Sequence, residues 1–166
     1  MSKKFIKINL ILFSLIVLTS CNNNSKHNTS DENIAVVKKY HEIWSNGNVK
    51  ELEEIISPDF QSHFIGGFEY SGIDGAKNSV LETKKAFPDW TENILEIISQ
   101  GNKVVTRYRS TGTHLDNWDG IKATGKKVNI EEMSVYHLKN GKITEQWGFW
   151  DEIELKKQMI KDTINN

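Results

Sequence analysis

The residues of this chain best suited to chemistry are the carboxylates and histidines of its second half. Asp151 closes the run Lys142–Trp150, which alternates as a strand does. Strict alternation puts Ile143, Glu145, Trp147, Phe149 and Asp151 on one side, with Thr144, Gln146, Gly148 and Trp150 on the other. If the first side faces a cavity, Asp151 stands among aromatic rings. Desolvation there disfavours the carboxylate and raises its pKa, which makes a carboxyl a usable acid and base near neutral pH. Trp147, Phe149 and Glu145 are then substrate-binding neighbours. The other reading of Asp151 is a cap on a helix starting near Ile153.

Four histidines besides His27 in the polar N-terminal stretch compete with satisfied-core or rim readings. Counting back across the turn Asn140-Gly141 sets Lys139 opposite Lys142 and His137 near Thr144, on a face shared with Met133 and Val135. That face points away from Asp151. His63 alternates with Phe64, and His41 shares an apolar helical stripe, where a packed neutral imidazole is the usual outcome. His114 borders a long loop carrying Trp118, a candidate for the mouth of the cavity. Arg107, in mid-strand, is either a charge paired with Glu132 or Glu145 or a donor to an oxyanion.

Several chemistries lack their residues. One cysteine excludes an internal disulfide and a CxxC site. His63, His114, His137 and Asp151 have no ligand-type spacing and HExxH is absent, so no metal is assigned. With no glycine-rich phosphate loop, GxSxG elbow or dinucleotide fingerprint, no cofactor is expected. The 166 residues carry 21 Lys+Arg against 22 Asp+Glu, a net charge of −1, and no basic stripe suggests nucleic acid. Five tryptophans and 10% aromatic residues suit a flat, partly apolar ligand.

The elements that must position these residues follow from periodicity. Thr29 and Glu32 form a capping box before the stripe Ile34, Val37, His41 and Trp44, which ends at Asn46-Gly47. A short helix follows through Leu52, Ile55 and Ile56. Phe60–Phe64 reads as a strand, and a third helix runs from about Asp74 to Phe87. The period then changes to two, giving strands Trp90–Gln100, Lys103–His114, Lys126–Lys139 and Lys142–Trp150 and a closing helix Ile153–Ile160. Helices first and an antiparallel meander after make the fold α+β.

Five strings in this order carry a resemblance: Phe87-Pro88-Asp89-Trp90, Val104-Val105-Thr106-Arg107, Thr111-Gly112-Thr113-His114, Ala123-Thr124-Gly125-Lys126, and Asn140 through Trp147 to Asp151. Together they resemble the SnoaL-like polyketide cyclases, or ester cyclases, of the NTF2-like superfamily, over Ile34–Ile160. The resemblance implies a strongly curved, mainly antiparallel sheet around a conical cavity, with N-terminal helices packed on it. It implies a cofactor-free intramolecular aldol condensation on a small hydrophobic carbonyl compound, with Asp151 as base. The spacing of His137 and Asp151 resembles the family's histidine–aspartate pair, and His63 matches a histidine that often faces the cavity. A homodimer through the sheet is also implied. A departure is Asp116, where members often have glycine, in a loop made more acidic by Asp119.

In front of this domain, Lys3, Lys4 and Lys7 precede the apolar run Ile8–Leu18, too short to span a bilayer. Leu18-Thr19-Ser20-Cys21 resembles the lipobox of bacterial lipoproteins. The resemblance implies a signal peptide over 1–20, lipidation of Cys21, a tether over 21–30 and a domain over 31–162 held at the outer side of a membrane in the cell envelope. Such an anchor favours a second possibility, a non-catalytic lipoprotein that binds a small molecule in the same cavity.

Overall fold

The computed structural model describes residues 23–65 and 69–160; the apolar leader and Cys21 lie outside the described residues. Helix α1 (Asn23–Asn46), a 3-10 turn (Val49–Glu51) and α2 (Leu52–Ile55) lead into β1 (Ile56–Ile65). After β2 (Glu69–Ser71) comes α3 (Gly72–Ala86), then β3 (Thr91–Gln100), β4 (Lys103–Thr113), β5 (Lys127–Lys139), β6 (Lys142–Trp150) and α4 (Glu152–Ile160). The six strands form one curved sheet in the order β2-β1-β6-β5-β4-β3, parallel only between β1 and β6. The fold is the α+β arrangement the sequence implies. Several boundaries differ: α1 runs back through Thr29, expected as its cap, into the segment expected as a tether; β1 starts at Ile56, expected in the short helix, instead of Phe60; and β2 is an additional strand. Once later turns are fixed by packing, adding preceding residues costs little, even for Asn and Ser.

Each turn of the meander has a visible cause. Asn140 and Gly141 both take positive φ, 54° and 74°, as a two-residue hairpin of primed type requires. Gly47, at φ 76°, ends α1 by donating its N–H to the Ile43 carbonyl at 2.8 Å.

The helices cover one face of the sheet, and two apolar clusters fill the space between. Val37, Tyr40, Ile43, Leu52, Phe60 and Val80 belong to the first, which reaches Tyr136 and Leu138 on β5. The second gathers Phe87, Trp90, Leu155 and Met159 around Val128 and Ile130. The inward row of β5 therefore changes along its length. It is apolar at Val128 and Ile130, polar at Glu132 and Ser134, and aromatic or apolar again at Tyr136 and Leu138. A buried polar seam separates the two cores.

The hairpin β5–β6 contains the feature that decides which side chains face that seam. Lys139 pairs with Lys142 and Leu138 with Ile143, but His137 pairs with Glu145. Thr144 is an extra residue, a bulge, and its hydroxyl donates to the His137 carbonyl at 3.2 Å. Beyond the bulge the faces of β6 are exchanged relative to strict alternation. Ile143 is buried, and then Gln146 and Gly148 point inward while Trp147 and Phe149 point out.

Candidate active site

The outer face of the sheet receives most of the residues singled out by type and spacing. Trp147 and Phe149 are 46% and 51% exposed. They stand there because of the Thr144 bulge, which corrects the inward placement expected from uninterrupted alternation. His63 also lies outside, since its ring stacks on Trp147 with centroids 4.3 Å apart, and Phe64 takes the inward position. Glu145 joins two imidazoles: its carboxylate is 2.9 Å from His137 Nδ1 and 3.4 Å from His63 Nε2. Arg107 pairs with neither Glu132 nor Glu145. Its guanidinium donates to Glu96 and Glu131, both at 2.9 Å, because those acids share its outward row. Asp151 is exposed at the start of α4, where its carboxylate accepts the Glu154 N–H at 2.8 Å. That is the capping geometry, and it places the carboxylate outside the ring of aromatic side chains expected around it.

Turned inward are groups whose chemistry is less evident from the sequence. Tyr40 on α1 donates to Gln146 Oε1 at 3.0 Å, and its hydroxyl lies 2.8 Å from that of Tyr70. The Gln146 amide donates to Ser134 Oγ at 3.1 Å. Ser134 Oγ is 3.3 Å from the Tyr108 hydroxyl, which donates to Glu132 Oε2 at 3.1 Å. A second branch begins at His41, whose Nδ1 is 2.6 Å from Glu92 Oε2. His41 Nε2 faces the Thr106 hydroxyl at 3.2 Å and that of Tyr136 at 3.1 Å.

Burial sets the protonation of this network. It pushes the Glu132 carboxyl up to about 8, with the nearby Glu92 carboxylate acting in the same direction and hydrogen bonds from Ser110 and Tyr108 opposing it. At neutral pH Glu132 is thus a carboxylic acid, able to donate a hydrogen bond. Its Oε1 and the Ser110 Oγ are both buried without an aligned partner. The phenols of Tyr40, Tyr108 and Tyr136 are raised well above their ordinary value by the same desolvation, and Tyr70 to about 12, so all four remain neutral. His114 is also buried, and desolvation lowers its pKa. It stacks on Phe87, and its Nδ1 is 3.1 Å from the Thr124 hydroxyl.

Beside this network lies an apolar pocket of about 50 Å³ formed by Trp44, Phe64, Thr83, Trp90, Trp118 and Trp150. Trp118, the loop residue expected at the cavity mouth, is set against Phe87 and edge-on to Trp150 at 6.3 Å. Its loop is tied down by Lys156, whose ammonium is 2.5 Å from Asp119. Glu132 is the register partner of Trp150, and Trp90 Nε1 donates to Glu92 at 3.5 Å. Glu132 thus stands opposite one tryptophan of the pocket wall on the neighbouring strand, and the Glu92 carboxylate is hydrogen-bonded to another. Phe64 owes its place there to Gly148: a Cβ on that glycine would lie 2.3 Å from the Phe64 ring.

Comparison with known families and structures agrees with this architecture. The sequence profile described as SnoaL-like polyketide cyclase matches residues 34–159. A SnoaL-like protein of Jannaschia sp. CCS1 is 20% identical over 78% of this chain and 92% of its own, with a TM-score of 0.73. A candidate polyketide cyclase of Bacillus cereus ATCC 10987 is 26% identical over 77% of this chain and 80% of its own, with a TM-score of 0.67. AclR of Streptomyces galilaeus, described as a candidate hydroxylase, is 22% identical over 78% of this chain and 96% of its own, at a TM-score of 0.70. Comparison with curated proteins finds no match.

Proposed function

The chain belongs to the SnoaL-like polyketide cyclase family, and on that premise we propose that its inner chamber performs cofactor-free acid–base chemistry on a small, flat, largely apolar carbonyl compound. The observation carrying this reading is Glu132: a carboxyl fully buried on the inward row of β5, pushed up to about 8 by that burial, and paired in register with Trp150 of the aromatic pocket. Tryptophan faces hold the apolar part of the ligand, and a protonated carboxyl in a dry site is a strong donor to a carbonyl oxygen that gains negative charge. Tyr108 holds Glu132 in position from the opposite side. Asp151 follows Trp150 directly in the chain, at the rim. To take a proton from carbon, as the family resemblance implies, its carboxylate has to leave the Glu154 N–H. Ring closure, isomerisation and dehydration all need this pairing of an acid at oxygen with a base at carbon.

The test is turnover of a panel of small aromatic and cyclic carbonyl compounds, with binding followed separately by tryptophan fluorescence. Glu132→Gln keeps the shape of the site and removes the proton. The expected result is retained binding with turnover reduced at least a hundredfold, and wild-type turnover that falls as pH rises past about 8. Wild-type rates in Glu132→Gln overturn the assignment. A pocket of about 50 Å³ walled by four tryptophans also favours a second reading, ligand capture without turnover. Saturable binding with no product from any bound compound would select it.

Two further parts of the reading concern the surroundings of the domain. We place the protein at the outer side of a membrane, held by lipid on Cys21 within its Leu-Thr-Ser-Cys context. Membrane partition that survives Cys21→Ser removes the anchor from the account. The homodimer is assigned to the outer sheet face, where Ile65, Ile98, Met133, Trp147 and Phe149 are each about half or more exposed. Sedimentation of the wild type as a monomer at micromolar concentration contradicts it.

A further inference from the structure

His41 and Glu92 border two compartments at once. On the inside they join the tyrosine network. On the outside they lie at the base of a cleft of about 450 Å³ between α1 and β3, bordered by Lys38, Glu42, Ser45 and Asn93. This cleft is separate from the tryptophan pocket; the two have no lining residue in common.

From the cleft to Glu132 the polar side chains form one buried row, hydrogen-bonded at every step except that between Tyr136 and Ser134. Glu92 Oε2 is 2.6 Å from His41 Nδ1, and His41 Nε2 is 3.1 Å from the Tyr136 hydroxyl. Ser134 stands two residues before Tyr136 on the same inward row of β5, and this is the one step of the path that no hydrogen bond closes in the structure. Ser134 Oγ is 3.3 Å from Tyr108, and Tyr108 donates to Glu132 at 3.1 Å. The His41 ring itself packs edge-on to Tyr108 with centroids 4.5 Å apart. Every member is an imidazole, a hydroxyl or a carboxyl, and each can accept one proton while giving up another.

We propose that His41 and Glu92 are the proton port of the chamber, connecting solvent in the α1/β3 cleft to Glu132 through Tyr136, Ser134 and Tyr108. The proposal deepens the reading of Glu132 as the buried acid. An acid that delivers its proton to a bound ligand must recover one before the next cycle, and the apolar tryptophan wall offers no hydrophilic path. In the loaded state the port holds one extra proton, as imidazolium on carboxylate. His41 gives its Nε2 proton to Tyr136, Tyr136 gives its own to Ser134, Ser134 to Tyr108, and Tyr108 to the Glu132 carboxylate. One proton has then crossed, His41 is neutral with its Nδ1–H on Glu92, and water in the cleft reloads it. The groups facing His41 are Glu92 on β3, Thr106 and Tyr108 on β4, Tyr136 on β5 and Tyr40 on its own helix, with Lys38 and Glu42 outside. His41 and Glu92 act through Glu132 and are positioning and relay groups, not catalytic ones.

The test needs no substrate. In the full chain labelled with carbon-13 at glutamate side chains, the Glu132 carboxyl carbon is followed near pH 8, where its two protonation states interchange. Tyr136→Phe deletes one hydroxyl from the relay and leaves the ring in place, so the fold survives. The expected result is interchange at least tenfold slower than in the wild type, seen as exchange broadening or two separate signals. His41→Ala slows it likewise, and free imidazole, small enough for the cleft, restores the rate. Restoration is a readout that a purely structural role of His41 does not produce. Unchanged interchange in Tyr136→Phe, or a folded His41→Ala that imidazole fails to rescue, overturns the port. If wild-type Glu132 is already ionised at pH 7, the buried-acid reading itself fails and the port falls with it. Titration near pH 8 with wild-type exchange in Tyr136→Phe rejects the port alone.

Discussion

The two faces of the sheet are built from the same strands and carry opposite kinds of chemistry. On the outer face, charged groups meet in water: Arg107 and Arg109 with Glu131, and His63 and His137 with Glu145. Such pairs gain little Coulomb energy and are screened by salt. On the inner face a smaller set of polar groups is enclosed between two apolar cores, and there the charges of Glu132 and the phenols are costly enough to be given up. Glu132 holds its proton for that reason, and the phenols hold theirs. Residue type alone ranks the outer face as the reactive one, since it has His63, His137 and the arginines. Environment reverses the ranking, because a reactive group is one whose proton affinity the protein has moved.

The largest test of this contrast is the pH dependence of stability. A carboxyl raised to about 8 in the folded state stabilises it relative to the unfolded chain only while protonated. The contribution is full below pH ~4.5 and is lost as pH rises to about 8, a swing on the order of a few kcal/mol. Unfolding of the wild type by urea at pH 5 and pH 9 should therefore differ by more than that of Glu132→Gln. Equal differences would mean that the inner carboxyl is as well solvated as an outer one.

Next in size is Gly148→Val. Its side chain has to displace the Phe64 ring into the tryptophan pocket. Overpacking of this kind costs roughly 1–3 kcal/mol. Ligand-induced fluorescence change should vanish while the far-ultraviolet dichroism stays native, and persistence of the ligand signal would separate the pocket from binding. The smallest effect belongs outside. Exposed ion pairs contribute about 1 kcal/mol or less, so His137→Asn and Arg107→Gln should each leave stability within that range and turnover within twofold. A tenfold loss of turnover in either variant would move the active surface to the outer face.

The fold was readable from local signals that agree with one another: turn residues at Asn140-Gly141 and Gly101-Asn102, period-two runs between them, and an apolar stripe on the first helix. The strand ends match the expected runs to within a residue over the meander. The site was less readable, for two physical reasons. Thr144 carries no mark of a bulge, since threonine fits an ordinary strand, and one extra residue exchanges every later side chain between the faces. Glu132 was legible in principle. It shares a face with Val128, Ile130, Tyr136 and Leu138, and an acid in an apolar row is the signal of a perturbed carboxyl. Arg107 masks that signal in the sequence, because it offers the acid an ion pair that Glu96 and Glu131 take instead. His41 needed tertiary information, because Glu92 approaches it from β3.

The parallel pairing of β1 with β6 has a consequence for the order of events during synthesis. Every other strand contact joins neighbours in sequence, and those hairpins can form as soon as their turns emerge. The inner chamber, in contrast, lacks Gln146, Gly148 and Trp150 until the last strand arrives, and only then can β1 find its second edge. A nascent chain thus forms its meander early and leaves its chamber open until β6 is made. The chamber is therefore among the last parts of the domain that can close, because its wall is completed by the strand made last.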